Sequence, residues 1–177
     1  MTDLKTLALG CGFAVAEDMD PNTLEFLPEV REMCAADRCQ HYNKTWACPP
    51  ACGTLEEWAE KCRRFKKGML VQTIGECEDS YDFEAMAAAA EQNARNFEQL
   101  VDKLVEANVD CLPMSSGTCT RCKTCAYPDA PCRFPEKLFP SMEACGLFVS
   151  KICKDNNVPY YYGSQKLAYT GCILYND

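Results

Sequence analysis

The sequence predicts a mixed α+β fold in one domain spanning residues 1–177, and three observations carry that prediction. An amphipathic helical stripe lies between two short apolar strands, which reads as a βαβ unit. A second apolar, strand-like run closes the chain. Two cysteine-rich stretches, near 34–53 and 115–140, lack either periodicity and read as loops shaped by something other than a hydrophobic core.

The elements follow in order. Thr54-x-x-Glu57 is a capping-box signature that opens a helix with Leu55, Trp58, Cys62 and Phe65 on one face. Arg63, Arg64, Lys66, Lys67 and Gly68 then give the basic-then-glycine pattern of a helix end. Met69 to Ile74 reads as a strand. From Asp82 to Asn108 the residues Phe83, Ala87, Ala90, Ala94, Phe97, Val101 and Leu104 recur at steps of four and three, the mark of an amphipathic helix. Val109 to Met114 is the second strand of the unit. Ser141 opens a third helix, with Cys145, Phe148, Val149 and Ile152 on one face, stopping near Asn156-Asn157. Tyr160-Tyr161-Tyr162 and Leu167 to Tyr175 read as one or two further strands.

Fifteen cysteines in 177 residues demand a chemical reason. A disulfide scaffold competes, but the odd count, the chain length and the clustering at metal-ligand spacing oppose it. Cys119, Cys122 and Cys125 form two consecutive C-x2-C steps, and Cys132 returns after a segment holding Pro128 and Pro131. A C-x2-C-x2-C run with a distal fourth cysteine wraps the corners of a [4Fe–4S] cube. Zinc held by four cysteines is the alternative, although such sites usually come as two separated knuckles. The backbone N–H groups of Thr120, Arg121, Lys123 and Thr124 are the expected donors to sulfur. Upstream, Cys34, Cys39, Cys48 and Cys52 form a looser set, stiffened by Pro49 and Pro50. His41, inside that set, is either a fourth donor or a plain loop residue. Glu143 near a helix start is a weak catalytic candidate, so catalytic residues are unassigned. Of the remaining cysteines, Cys62, Cys145 and Cys172 fit core positions, whereas Cys77 and Cys111 are the spare ligands should Cys52 fail.

The formal charge is −8 with every cysteine counted neutral. Two oxidised [4Fe–4S] clusters would add roughly −2 each. That balance disfavours nucleic acid and favours a redox partner protein with a basic face. The basic run from Lys61 to Lys67 reads as a solvated helix end rather than a docking site. The apolar run from Leu7 to Ala16 is short, has Asp3 and Lys5 before it, and meets Glu17 and Asp18 after it, unlike an export signal. No stretch approaches the roughly 18–20 apolar residues of a membrane span, so no membrane partner is expected. Oligomeric state is unassigned, and the expected location is the reducing cytoplasm.

With these residues in view, the chain resembles a prokaryotic family of predicted metal-binding proteins of unknown function. The resemblance rests on Cys34-x4-Cys39, Tyr42, Lys44-x-Trp46-x-Cys48-Pro49-Pro50, the Cys119/Cys122/Cys125 run, Pro131-Cys132-Arg133-x-Pro135 and Pro140-Ser141-Met142-Glu143-Ala144, from about residue 30 onward. It implies bound metal, most plausibly two [4Fe–4S] clusters, and redox work in anaerobic or facultative microbes. The family reads Cys-Gly-x-Tyr-Gly where this chain has Cys39-Gln40-His41-Tyr42-Asn43, and asparagine can adopt the left-handed backbone that glycine supplies. Family members vary at the position of Cys52, and without that ligand the first cluster has an open iron. The expected function is a soluble two-cluster electron carrier, with centres about 10–15 Å apart on the scale of such a domain. The competing functions are a redox enzyme or reductive activator using the open site at Cys34/Cys39/Cys48, and a zinc-stabilised interaction module.

Overall fold

The computed structural model describes residues 3–176. At its centre is a four-stranded sheet of β1 (Val15–Met19), β2 (Lys67–Glu76), β3 (Cys111–Met114) and β4 (Lys166–Tyr175), in the order β1-β2-β4-β3. Every neighbouring pair is antiparallel, with Met69 and Pro113 both opposite Ile173. β2 and β3 each run against β4 and are therefore parallel to one another. The predicted strand–helix–strand unit is present in split form, with β4 seated between its two strands. Tyr160 to Tyr162 lie outside the sheet, so the tyrosine run is not a strand.

Helices cover both faces of this sheet. They are α1 (Leu4–Gly10), α2 (Pro28–Ala35), α3 (Leu55–Arg63), α4 (Phe83–Glu106) and α5 (Val149–Asp155). Met69, Val71 and Ile173 meet Phe97, Leu100, Val101 and Leu104 of α4 and Ala8 of α1. On the other face Leu70, Cys172 and Leu174 meet Trp58 and Cys62 of α3, with Ile152 and Cys153 of α5. Strands covered on both faces read as continuous apolar runs, which is why 69–74 is legible as a strand. Each large aliphatic side chain so buried stabilises the fold by about 1.5–3 kcal/mol.

Three further local readings need correction. α3 has its capping box, with Thr54 N donating to Glu57 Oε2 at 2.7 Å and Glu57 N donating to Thr54 Oγ1 at 3.2 Å. It nevertheless ends at Arg63, and Lys67 and Gly68 already belong to β2. A Cβ on Gly68 would lie 2.6 Å from Met19 Cγ, so this glycine permits strand packing rather than a helix stop. In α4 the predicted stripe holds from Phe97 onward, but Phe83 is 71% exposed. The part before Phe97 instead buries Ala89, Asn93 and Asn96. Thr73 Oγ1 donates to Asn93 Oδ1 at 2.9 Å, and Asn96 Nδ2 donates to Gly12 O at 3.1 Å. A buried polar network that satisfies its own hydrogen bonds is invisible to an apolar pattern. The helix predicted from Ser141 is broken: Glu143–Cys145 is one 3-10 turn, Gly146 turns left-handed at φ 85°, and α5 begins at Val149. A Cβ on Gly146 would meet Leu55 Cδ2 at 2.3 Å. The N-terminal apolar run, to which the sequence assigned no element, divides into α1 and β1 at Gly12, where φ is 99°. No helix among the described residues is long and apolar enough to cross a membrane.

Candidate metal centre

Residues 36–54 and 116–134 contain neither helix nor strand. The first of these loops leaves the end of α2, where Cys34 occupies the last turn. Asp37, Gln40 and Asn43 adopt φ values of 50°, 61° and 55°, which curl the chain tightly around Cys39. Asn43 N donates to Pro49 O at 2.8 Å and Cys52 N donates to Cys48 O at 3.0 Å, closing two further turns. The Arg31 guanidinium clamps the end of the loop through two 2.9 Å bonds to Gly53 O.

Cys34, Cys39 and Cys48 share one neighbourhood. Burial pushes the Cys34 thiol up to about 11, the carboxylate of Glu143 and the thiols of Cys39 and Cys48 add to the rise, and Arg31 opposes it. Cys52 joins through Cys48. Burial raises its thiol, Arg31 opposes that rise, and Cys48 adds to it. The Cys52 Sγ donates to Ala144 O at 3.6 Å. Glu143 is itself raised by desolvation against the pull of Ser141, and it lies near both Cys34 and Tyr160.

The second set is drawn together more completely. Cys119, Cys122, Cys125 and Cys132 all line one small cavity, with Thr45, Trp46 and Ala47 of the first loop forming part of its wall. Burial raises the Cys119 thiol, opposed by hydrogen bonds from the backbone N–H groups of Arg121 and Phe139. Arg121 was an expected donor; Phe139 comes from beyond the run and has no signal in the spacing. Arg133 Nη1 donates to Thr124 O at 2.9 Å and folds the returning segment onto the run. The loop is fastened to α4 through Asp102, which lies 2.9 Å from Arg121 Nη1 and 3.0 Å from Lys137 Nζ. Thr120 Oγ1 adds a 2.6 Å bond to Glu98 Oε1.

The two loops interlock, which spacing alone does not reveal. Trp46 Nε1 donates to Ala130 O at 2.9 Å. Its ring meets Tyr127 edge-on, with centroids 4.9 Å apart. The Tyr127 hydroxyl donates to Asn43 Oδ1. Thr118 Oγ1, one residue before Cys119, lies 3.3 Å from Thr45 Oγ1 and 3.2 Å from Cys48 Sγ. Trp46 belongs to the motif that carries the family resemblance, and that was the one available signal for this contact.

The other cysteines sort differently from expectation. Cys77 donates to Ser164 O at 3.7 Å near the end of β2. Cys111 packs beside the α4 face of the sheet. Neither is among the groups that act on the Cys34 or Cys52 thiols. The thiol that is near Cys52 is Cys145, fully buried and raised well above its ordinary value by desolvation. Cys62, Cys145 and Cys172 are core residues, as their patterns predict.

None of the cysteines is paired in a disulfide among the described residues. Two sets of unpaired thiols, part-buried except for exposed Cys39 and buried Cys48, one set ringing a cavity with N–H groups on its sulfur, have the chemistry of a sulfur-ligated metal site. A single ion would need its sulfurs on bonds of about 2.3 Å. Among the described residues no three Cys, His, Asp or Glu side chains converge that tightly, His41 included.

Neither a curated protein nor a solved structure matches this chain. One family model does match, over residues 17–175, and it takes in both cysteine loops, all of α2 to α5 and nearly the whole sheet. By that match the chain belongs to the DUF2284 family, whose description is "Predicted metal-binding protein".

Proposed function

We propose that this protein binds two [4Fe–4S] clusters and works as an electron carrier in a reducing compartment. Cys119, Cys122, Cys125 and Cys132 would hold one cluster, and Cys34, Cys39, Cys48 and Cys52 the other. The observation that carries this reading is the ring of four thiols around one cavity, walled in part by the neighbouring loop. A cube takes one thiolate at each of four corners, and four cysteines around one cavity offer that number. N–H groups on Cys119 and the Thr118 hydroxyl beside Cys48 are the kind of donors that tune a cluster potential. Contact between the loops favours passage of electrons from one centre to the other. The acidic chain suits a redox partner with a basic face.

The deciding experiment is anaerobic purification with iron and acid-labile sulfide counted per chain. About eight of each is expected for two cubes. About four would remove the upstream cluster. A colourless zinc protein would remove the redox function and leave a zinc-stabilised interaction module.

One observation favours a second reading, in which the first cluster keeps an open iron and serves an enzyme or reductive activator. Cys52 Sγ lies 3.6 Å from the carbonyl of Ala144, an acceptor that suits a neutral thiol better than a metal-bound thiolate. Under this reading Cys52→Ser leaves the iron count unchanged, and cyanide alters the visible spectrum. Loss of about four irons in that variant selects the carrier with eight cysteine ligands.

A further inference from the structure

A cleft of about 620 Å³ lies at one end of the sheet against Leu4, Val109 and Tyr175, and no cysteine lines it. A second cleft, of about 390 Å³, opens between the two cysteine loops. That volume falls within the range of small-molecule sites, which pair mostly apolar walls with a few polar groups.

Its lining is specific. Cys52 of the first set and Cys132 of the second both reach it. Trp46 and the nearly buried Trp58, the chain's only two tryptophans, contribute apolar lining. Pro113 and Pro131 add rigid walls. Lys61 is the single charged residue on the cleft. Its ammonium lies 4.5 Å from the centroid of the Trp58 ring. No carboxylate neutralises it among the ion pairs of the described residues.

We infer that this cleft binds a small organic monoanion with a flat apolar body, its carboxylate on Lys61 and its body between the indole and proline walls. One cation matches one negative charge, and a second charge pushed among apolar walls would lose its hydration without a partner. Flat, stiff walls favour a planar body, because aromatic rings pack on indole faces and edges at little entropic cost. A charge-assisted bond to the ammonium then separates the acid from its neutral analogue. A molecule held here lies against a cysteine from each set. The inference goes beyond the proposed electron carrier and stands on the cleft alone.

The test is a calorimetric titration of the whole, anaerobically purified protein with benzoate, with its neutral isostere benzamide and with the dianion phenyl phosphate, iron being counted in the same sample. One benzoate per chain is expected, with benzamide about tenfold weaker, the size of one charge-assisted hydrogen bond. Phenyl phosphate is expected to bind more weakly than benzoate. Lys61→Met should bring benzoate down to the benzamide level without changing benzamide, and Lys61→Arg should restore the preference. Lys61 is exposed, so neither substitution endangers the fold. No saturable benzoate binding, equal affinity for acid and amide, tighter binding of phenyl phosphate, or an unchanged preference in Lys61→Met would each overturn the inference. Benzoate binding to a protein that lacks iron would leave the cleft standing and remove the electron carrier.

Discussion

The sulfur of Cys48 and the hydroxyl of Thr118 lie 3.2 Å apart, joining two cysteine loops that are seventy residues distant in sequence. When Cys48 is a metal-bound thiolate, only the threonine can donate in this pair. Its bond strengthens as an electron arrives, because the sulfur gains negative charge. Thr118→Val removes that donor while keeping the shape. Net hydrogen-bond energies of about 0.5–1.5 kcal/mol correspond to roughly 20–65 mV for one electron. The potential of one centre should therefore fall by that amount in a redox titration. A rise, or no shift at either centre, counts against the Thr118 hydroxyl as a donor to a bound sulfur.

Gln40 stands at φ 61°, in the left-handed region that favours glycine. A non-glycine residue there costs roughly 1–2 kcal/mol, and glycine gives back about 0.5–1 of that in chain entropy. Gln40→Gly should stabilise the protein by about 0.5–1 kcal/mol in urea unfolding, and a loss would refute the strained turn. Asn43, also left-handed, is a different case. Its side chain accepts the Tyr127 hydroxyl, so glycine there would sever a contact between the loops.

Trp46→Phe keeps a ring beside Tyr127 and removes the donor to Ala130 O. The expected cost is about 1 kcal/mol. Because Trp46 belongs to the first loop and walls the second cavity, metal should leave both sets faster under a chelator. Faster loss from one set alone would show that the loops are independent.

Asp102 neutralises two cations of the second loop, Arg121 and Lys137. The pairs are only partly shielded from solvent, which places Asp102→Asn at about 1–2 kcal/mol of destabilisation rather than the larger figure of a fully buried pair. Thermal unfolding measures it, and an unchanged midpoint would mean that the loop is fastened to α4 by other contacts.

Burial holds the Cys62 thiol up to about 12, from an ordinary 9.0. Below pH 9 the thiol is neutral both folded and unfolded, and its contribution is complete. From about pH 9 to 12 the unfolded chain ionises first and binds fewer protons, so stability falls with rising pH. Cys62→Ala should flatten part of that fall in urea unfolding at successive pH values. An equally steep decline would assign the alkaline sensitivity to other groups.

What was legible in the sequence is what depends on neighbours along the chain. The Cys119 run, the Thr54 cap and the later part of α4 are all short-range patterns, and the structure has them. The turn at Asn43 was legible too, because asparagine tolerates the left-handed region. What escaped depends on distant partners. Nothing local to Lys166–Tyr175 says that this strand slips between β2 and β3. Nothing near Ser141 shows that Leu55 will crowd Gly146 and break the helix. Cys145 escaped for the same reason: its approach to Cys52 is made by folding, not by spacing.

The place of β4 bears on how the protein matures. Both cysteine loops are translated before the strand that fills the middle of the sheet. A nascent chain emerging from the ribosome therefore presents every one of its eight candidate thiols while β2 and β3 still have an unfilled slot between them. Metal bound by these thiols on the proposed reading would meet them before the last strand pairs with β2 and β3.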